Sequence, residues 1–351
     1  MLQKRNYTFL GIFLLSLFYS CGGPSRISVQ VQKPASVSMP GVKKIAVVDF
    51  IGQNRSGSQI ATLTQSMLLK TEHFSILERD KLKRILEEQN MAMSGIVDDA
   101  TAVEAGKLLG VDALIFGEVT TYEVEPDQKR IKKEKEKKKT GKYRWVEKKD
   151  KKTGKIKKVK EEIIEEVWVE REYWVRQGTV AVNFRVVDVQ SGQLLAAHSD
   201  SKSYDSGTEK RSIWKKVDDP KSLKPVGEIL SDLSKDICRT FVQTIAPHTV
   251  SESRDIETGE GDIKVGKTYA EAGLWPEAQE AWERAVKVNP KDPIAMYNLG
   301  LAYEVQGMLV RAEAAYKQAI QLKQKKRYME ALARVRQAQE DQALLEEQLN
   351  D

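Results

Sequence analysis

A chain of 351 residues, 40% hydrophobic and 31% charged, is long enough for about two domains with real cores and too apolar to be disordered. Its net charge of +6 gathers largely between Lys129 and Lys160, so it describes a segment and does not by itself mark a nucleic-acid-binding protein. Two cysteines, Cys21 and Cys238, exclude a disulfide framework.

In chain order, Lys4 and Arg5 precede an apolar run from Phe9 to Phe18, too short to span a bilayer comfortably. The run ends at Phe18-Tyr-Ser-Cys-Gly-Gly, which resembles the lipobox of bacterial lipoproteins. The resemblance implies a signal peptide over 1–20 and acylation of Cys21. Phe18 and Tyr19 are bulkier than the usual residues, and the alternative is an ordinary signal peptide cut elsewhere. Residues 21–41 then read as a lipidated N-terminus and an extended tether.

Lys44–Phe50 (KIAVVDF) reads as a buried strand, because its apolar run has no polar relief. Ile60, Leu63, Met67 and Leu68 form a helical face. Phe74–Leu77 is a second strand. Asp80 is placed to cap a helix carrying Leu82, Ile85 and Leu86. Glu78 and Arg79 read as a local ion pair bracing that turn. Asp98 and Asp99 cap a further helix, Gly110 stops it, and Asp112–Val119 is a third strand. Cys238 reads as a buried thiol. The three histidines, His73, His198 and His248, lie far apart. No metal spacing, phosphate loop or nucleophile motif is present, so neither cofactor nor catalytic residue is expected.

The run "IAVVDF", "FSILERDKL", "LEEQ…SGIVDD", "AGKLLGVDALIFGEV" resembles the family of the curli secretion component CsgG. Gly178–Gly192 (GTVAVNFRVVDVQSG) is similar to that family's strand-and-turn segment. The resemblance covers about residues 42–245. It implies an α/β (α+β) domain over 42–248, a sheet flanked by helices. It also implies a ring-shaped outer-membrane channel in which each subunit lends two hairpins to a shared barrel.

The first such hairpin would fall within residues 120–178. Lys132–Lys139 is nearly all Lys and Glu, Asp150-Lys-Lys-Thr-Gly-Lys is a turn signal, and Ile163–Val175 carries charge on both alternating faces. A charged side chain on a mid-bilayer strand costs about 2–4 kcal/mol for Arg or Lys. The segment therefore reads as a long charged hairpin outside the membrane, its lysines protecting an edge. The place of the second hairpin, Asp205–Arg211, is short and polar. Thr179–Val189 and Leu194–Ser201 are strands around a Gln190-Ser-Gly-Gln turn. Val226, Ile229, Leu230, Leu233, Ile237, Phe241 and Ile245 mark a closing helix.

Residues 249–260 read as a linker. Beyond them Gly266, Tyr269, Gly273, Ala278, Trp282 and Ala285 recur 34 positions later as Gly300, Tyr303, Gly307, Ala312, Tyr316 and Ala319. This resembles the tetratricopeptide repeat, with two repeats over 261–324. Residues 325–351 read as a capping helix, with Met329, Leu332 and Val335 inward and later leucines available for self-association. The resemblance implies a concave groove faced by Lys267, Ala270, Tyr297, Leu301 and Glu304.

The whole reads as an exported, lipid-anchored, non-enzymatic scaffold or assembly factor. It would sit at the outer membrane facing the periplasm and bind envelope proteins and no nucleic acid, with self-association into a homo-oligomer open to it. The alternative is a subunit of a ring-forming secretion channel.

Overall fold

A computed structural model of the chain describes residues 25–88, 99–149, 154–208 and 219–350. The proposed signal peptide, Cys21, Asp98 and part of the second hairpin's place lie outside them. The chain forms two compact units. Among the described residues one comprises 35–248 with 348–350, and the other comprises 25–34 and 249–347.

The sequence predicts a tether up to residue 41, but Ser25–Lys33 is a strand (β1). In the first unit, β2 (Lys44–Val47) is followed by α1 (Ser56–Leu69), β3 (Ser75–Ile76), α2 (Arg79–Glu88), α3 (Asp99–Leu109) and β4 (Ala113–Val124). A long ribbon, β5 (Gln128–Lys149) and β6 (Ile156–Val175), comes next, then β7 (Gln177–Asp188), β8 (Leu194–Asp205) and α4 (Val226–Ile245). The sheet runs β3-β2-β4-β7-β8. β2 lies parallel to β3 and β4, whereas β7 is antiparallel to β4 and β8.

The continuous apolar runs follow from burial on both faces. Ile45, Val47, Ala113 and Ile115 point to one side, where α1 and α4 supply Ile60, Leu68, Ile237 and Phe241. Ala46, Val48, Leu114 and Phe116 point to the other, where α2 and α3 supply Leu82, Leu86, Ala102 and Ala105. Phe184 of β7 stacks on Phe241 of α4, with centroids 4.2 Å apart. Gly57 is needed where α1 meets the sheet: a Cβ there would lie 1.7 Å from the Phe50 carbonyl oxygen. Met39 and Val42 belong to this core, and the Val37 amide donates to the Thr244 carbonyl at 2.8 Å. The second half of the predicted tether is thus a folded edge of the domain.

Gly110 follows α3 at φ +60°, as its stop role requires. α2 begins at Arg79, so Asp80 falls inside its first turn, not at its cap. Arg79 bonds to Asp49, thirty residues away at the end of β2, and to the Ser58 hydroxyl at 3.3 Å. The expected local pair with Glu78 is replaced by this tie from the start of α2 to the segment after β2 and to α1. Cys238 is buried as expected; burial pushes its thiol up to about 11.

The second unit holds β9 (His248–Ile256), α5 (Asp262–Glu271), α6 (Trp275–Val288), α7 (Pro293–Val305), α8 (Leu309–Leu322) and α9 (Lys326–Asn350). β9 occupies most of the predicted linker and pairs with β1. Its polar residues alternate and read as loop until that distant partner is known. The repeat has a direct steric basis. A Cβ on Gly266 would lie 2.5 Å from the Trp282 ring, and one on Gly300 would lie 2.8 Å from the Tyr316 ring. The aromatics therefore fill space inside each helix pair. Gly273 and Gly307 turn each pair at φ +79° and +75°. Asp292 caps α7, accepting from the Ile294 and Ala295 amides, with Pro293 at the first helical position. On α9 the buried apolar residues are Tyr328, Ala331 and Val335, with Leu332 packed partly buried on the same core, while Met329 is exposed. Val335 and Leu332 thus face the core as expected, but Tyr328 takes the place expected of Met329, stacking on Tyr297 at 4.7 Å.

Candidate functional site

The five positions predicted to face a groove lie on α5 and α7. Lys267 is partly buried, its side chain 20% exposed, and pairs with Glu271 at 2.7 Å. Ala270, Tyr297 and Leu301 are buried, and the Glu304 side chain is 6% exposed. The chain itself covers them. Ile256 at the end of β9 packs with Ala270 and Leu301. The Tyr297 hydroxyl donates to the Asp255 carbonyl at 2.9 Å.

Two carboxylates organise this filled groove. Glu304 accepts from Arg254 at 2.8 Å, from two Arg334 nitrogens at 2.7 Å each, and from the Tyr316 hydroxyl at 2.7 Å. Burial pulls its carboxyl upward, but the arginines more than offset that and hold it below its ordinary value. Burial lowers the Arg334 guanidinium, and Glu304 reverses the sign to a net rise. Burial pushes the Tyr297 and Tyr316 phenols up.

Glu257, just past β9, accepts from Lys325 at 2.5 Å, Arg327 at 2.8 Å and the Tyr328 hydroxyl at 3.0 Å. Buried Asn298 of α7 grips the same residue's backbone. Its oxygen accepts from the Glu257 amide at 3.0 Å, and its NH2 donates to the Glu257 carbonyl at 2.9 Å. A side-chain amide that pairs with both the N–H and the C=O of one residue is a device for holding an extended strand. Here the held segment is the chain's own.

Arg254, Glu257 and Asn298 carry this arrangement and were not singled out from the sequence. Arg254 and Glu257 stand in a polar stretch that looks like solvated linker. The one available signal was an asparagine in an apolar helix, flanked by Tyr297 and Leu299.

The second candidate surface is the β5–β6 ribbon. Its strands of 22 and 20 residues extend roughly 70 Å. Lys129–Glu172, Lys133–Glu170, Lys135–Glu166 and Lys139–Glu162 pair across it at 3.2–3.5 Å. Ile131, Trp145, Ile156, Ile164 and Trp168 are all more than half exposed on it. Among the described residues no helix is long and apolar enough to cross a membrane. Nor do they hold a group of three or more His, Cys, Asp or Glu that could hold a metal ion.

Comparison with known proteins gives two family matches. Residues 40–129 match the family described as curli production assembly/transport component CsgG. Residues 266–327 match the tetratricopeptide repeat. The chain therefore carries a CsgG-like domain followed by tetratricopeptide repeats in a mixed α/β fold. Both families are in general non-enzymatic, and together they suggest a protein-interaction or envelope-assembly role.

No curated protein matches the chain. Among solved structures, similar ones include the PelC dodecamer from Paraburkholderia phytofirmans, at 11% identity and TM-score 0.28, covering 63% of this chain and 99% of that one. Lipoprotein GNA1162 from Neisseria meningitidis is 14% identical with TM-score 0.28, covering 47% and 84%. The LpoB C-terminal domain from Salmonella enterica is 8% identical with TM-score 0.27, covering 46% and 86%.

Proposed function

We propose that this chain is an exported lipoprotein, acylated at Cys21, that serves as a non-enzymatic scaffold or assembly factor at the outer membrane, facing the periplasm. The observation that carries the reading is the joining of a CsgG-like domain to tetratricopeptide repeats in one chain. The lipobox-like Phe18-Tyr-Ser-Cys supports the anchor. Protein partners bind outside the filled groove.

A second reading, a channel subunit, draws on the ribbon. Each of its strands exceeds the 9–11 residues or so that cross a bilayer in a barrel. Charge on both ribbon faces counts against insertion.

Metabolic labelling with a fatty-acid analogue tests the anchor. Label on the parent and none on Cys21→Ser is expected, and equal label on both defeats the anchor. Light scattering on the purified Cys21→Ser protein tests the assembly. A small species that stays in solution without detergent is expected. A many-subunit particle that needs detergent would replace the scaffold with the channel.

A further inference from the structure

The ribbon has two halves of different character. Its proximal half, residues 128–139 with 161–175, contains nine Lys and Arg against eight Glu. Those charges face one another in the cross-strand ladder, and Arg171 meets Glu136 at 2.7 Å. The distal half is not balanced. Residues 142–149 and 154–160 contain Lys142, Arg144, Lys148, Lys149, Lys155, Lys157, Lys158 and Lys160 against Glu147 alone. Glu161 at the junction serves both Arg144 and Lys148. The distal half thus carries an excess of positive charge among its described residues.

Register puts apolar groups among those cations. Tyr143 faces Glu162, Trp145 faces Lys160, Glu147 faces Lys158 and Lys149 faces Ile156. Cross-strand partners and alternate residues share a face, so Tyr143, Trp145 and Ile156 lie together on one side with Lys149, Lys158 and Lys160, and with Glu147 and Glu162. Tyr143, Trp145 and Ile156 are 54%, 69% and 67% exposed. The Lys160 ammonium lies 4.5 Å from the Tyr143 ring centre. An exposed Trp and Tyr beside an aliphatic residue and a lysine cluster suit the headgroup layer. There the rings enter the boundary region and the ammonium groups meet lipid phosphates.

We propose that the distal half of this ribbon docks on an anionic lipid surface, as a peripheral contact that needs neither a spanning segment nor the acyl chain. Only the choice of lipid over nucleic acid rests on the export reading. Exposed Ile156 and Val159, which offer a base no ring to stack on, favour the same choice.

The test uses the full chain carrying Cys21→Ser, so that no acyl group contributes. It is co-sedimented with vesicles containing roughly one-third phosphatidylglycerol and with pure phosphatidylcholine vesicles. Preferential binding to the anionic vesicles is expected, falling steeply as salt rises from about 0.1 M to about 1 M. Replacing Lys148, Lys149, Lys157 and Lys158 together by Gln should weaken binding at least about tenfold. Trp145→Ala should weaken it about threefold. The same number of Lys→Gln changes at Lys129, Lys133, Lys135 and Lys137 should alter it less than about twofold.

Equal losses from the proximal and distal sets would overturn the proposal, since net charge alone would then explain binding. So would an unaffected Trp145→Ala, no preference for anionic vesicles, or tighter binding to single-stranded nucleic acid. None of these results bears on acylation at Cys21, which the labelling experiment reads separately.

Discussion

The repeat unit and the ribbon use the same chemistry, Lys or Arg against Glu, in opposite surroundings. In the repeat unit Glu304 and Arg254 are 6% and 5% exposed. On the ribbon Lys129 and Glu172 are 55% and 61% exposed. Water screens the ribbon pairs, so each contributes about 0.2–1 kcal/mol at most. In the filled groove each charge depends on its partner, because a lone buried ion has no solvent to fall back on. Sequence composition treats the two regions alike; burial decides which charges hold the structure together and which remain available to a ligand.

The largest expected break is Glu304→Ala. It takes from Arg334 its paired carboxylate, leaves buried Arg254 with Glu252 alone, and should cost about 3–5 kcal/mol. Amide hydrogen exchange over α5–α9 would report it as a marked loss of protection; unchanged protection would show that water reaches the groove. Asn298→Ala follows, at about 1–3 kcal/mol, because the Glu257 amide and carbonyl lose their partners. Its signature should be earlier exchange in β9 than in α4. Gly300→Ala should cost a further about 1–3 kcal/mol by driving a methyl into the Tyr316 ring, read from the thermal midpoint.

Acid sharpens the same comparison. The Glu304 carboxyl lies below its ordinary 4.5 when folded. The unfolded chain therefore takes up that proton first as pH falls. The stabilisation is full above 4.5 and is lost as pH drops through the folded value. A pH series of exchange rates on the parent should show protection of the repeat unit declining below that point. Glu304→Gln should flatten the decline. The smallest effect belongs to the ribbon: Lys135→Ala, despite its Glu166 partner, should change stability by less than about 0.5 kcal/mol.

Much of the fold was legible in the chain. The apolar runs at Ile45–Val48 and Ala113–Phe116 marked strands buried on two faces, because only such strands need no polar relief. The 34-residue recurrence from Gly266 to Gly300 marked the repeats, because glycine there is the room for Trp282 and Tyr316. The charged segment read as a hairpin is one. The candidate site was less legible. Lys267, Ala270, Tyr297, Leu301 and Glu304 were placed on the right helices, but four of them are covered by the chain's own β9 and α9. Residues 249–260 looked like linker because Arg254 and Glu257 are solvated in every local reading.

Local pattern by itself determined the alternation of strands and helices, the repeat period and the polarity of the ribbon. Each is set by contacts within a few turns or by side-chain size at fixed spacing. Tertiary structure alone decided that β1 pairs with β9, that Arg79 reaches Asp49, that Tyr328 and not Met329 faces inward, and that the groove is filled from within. Those outcomes join residues far apart in sequence. A charge becomes structural only when its distant partner removes it from water, and no local stretch of sequence records that removal.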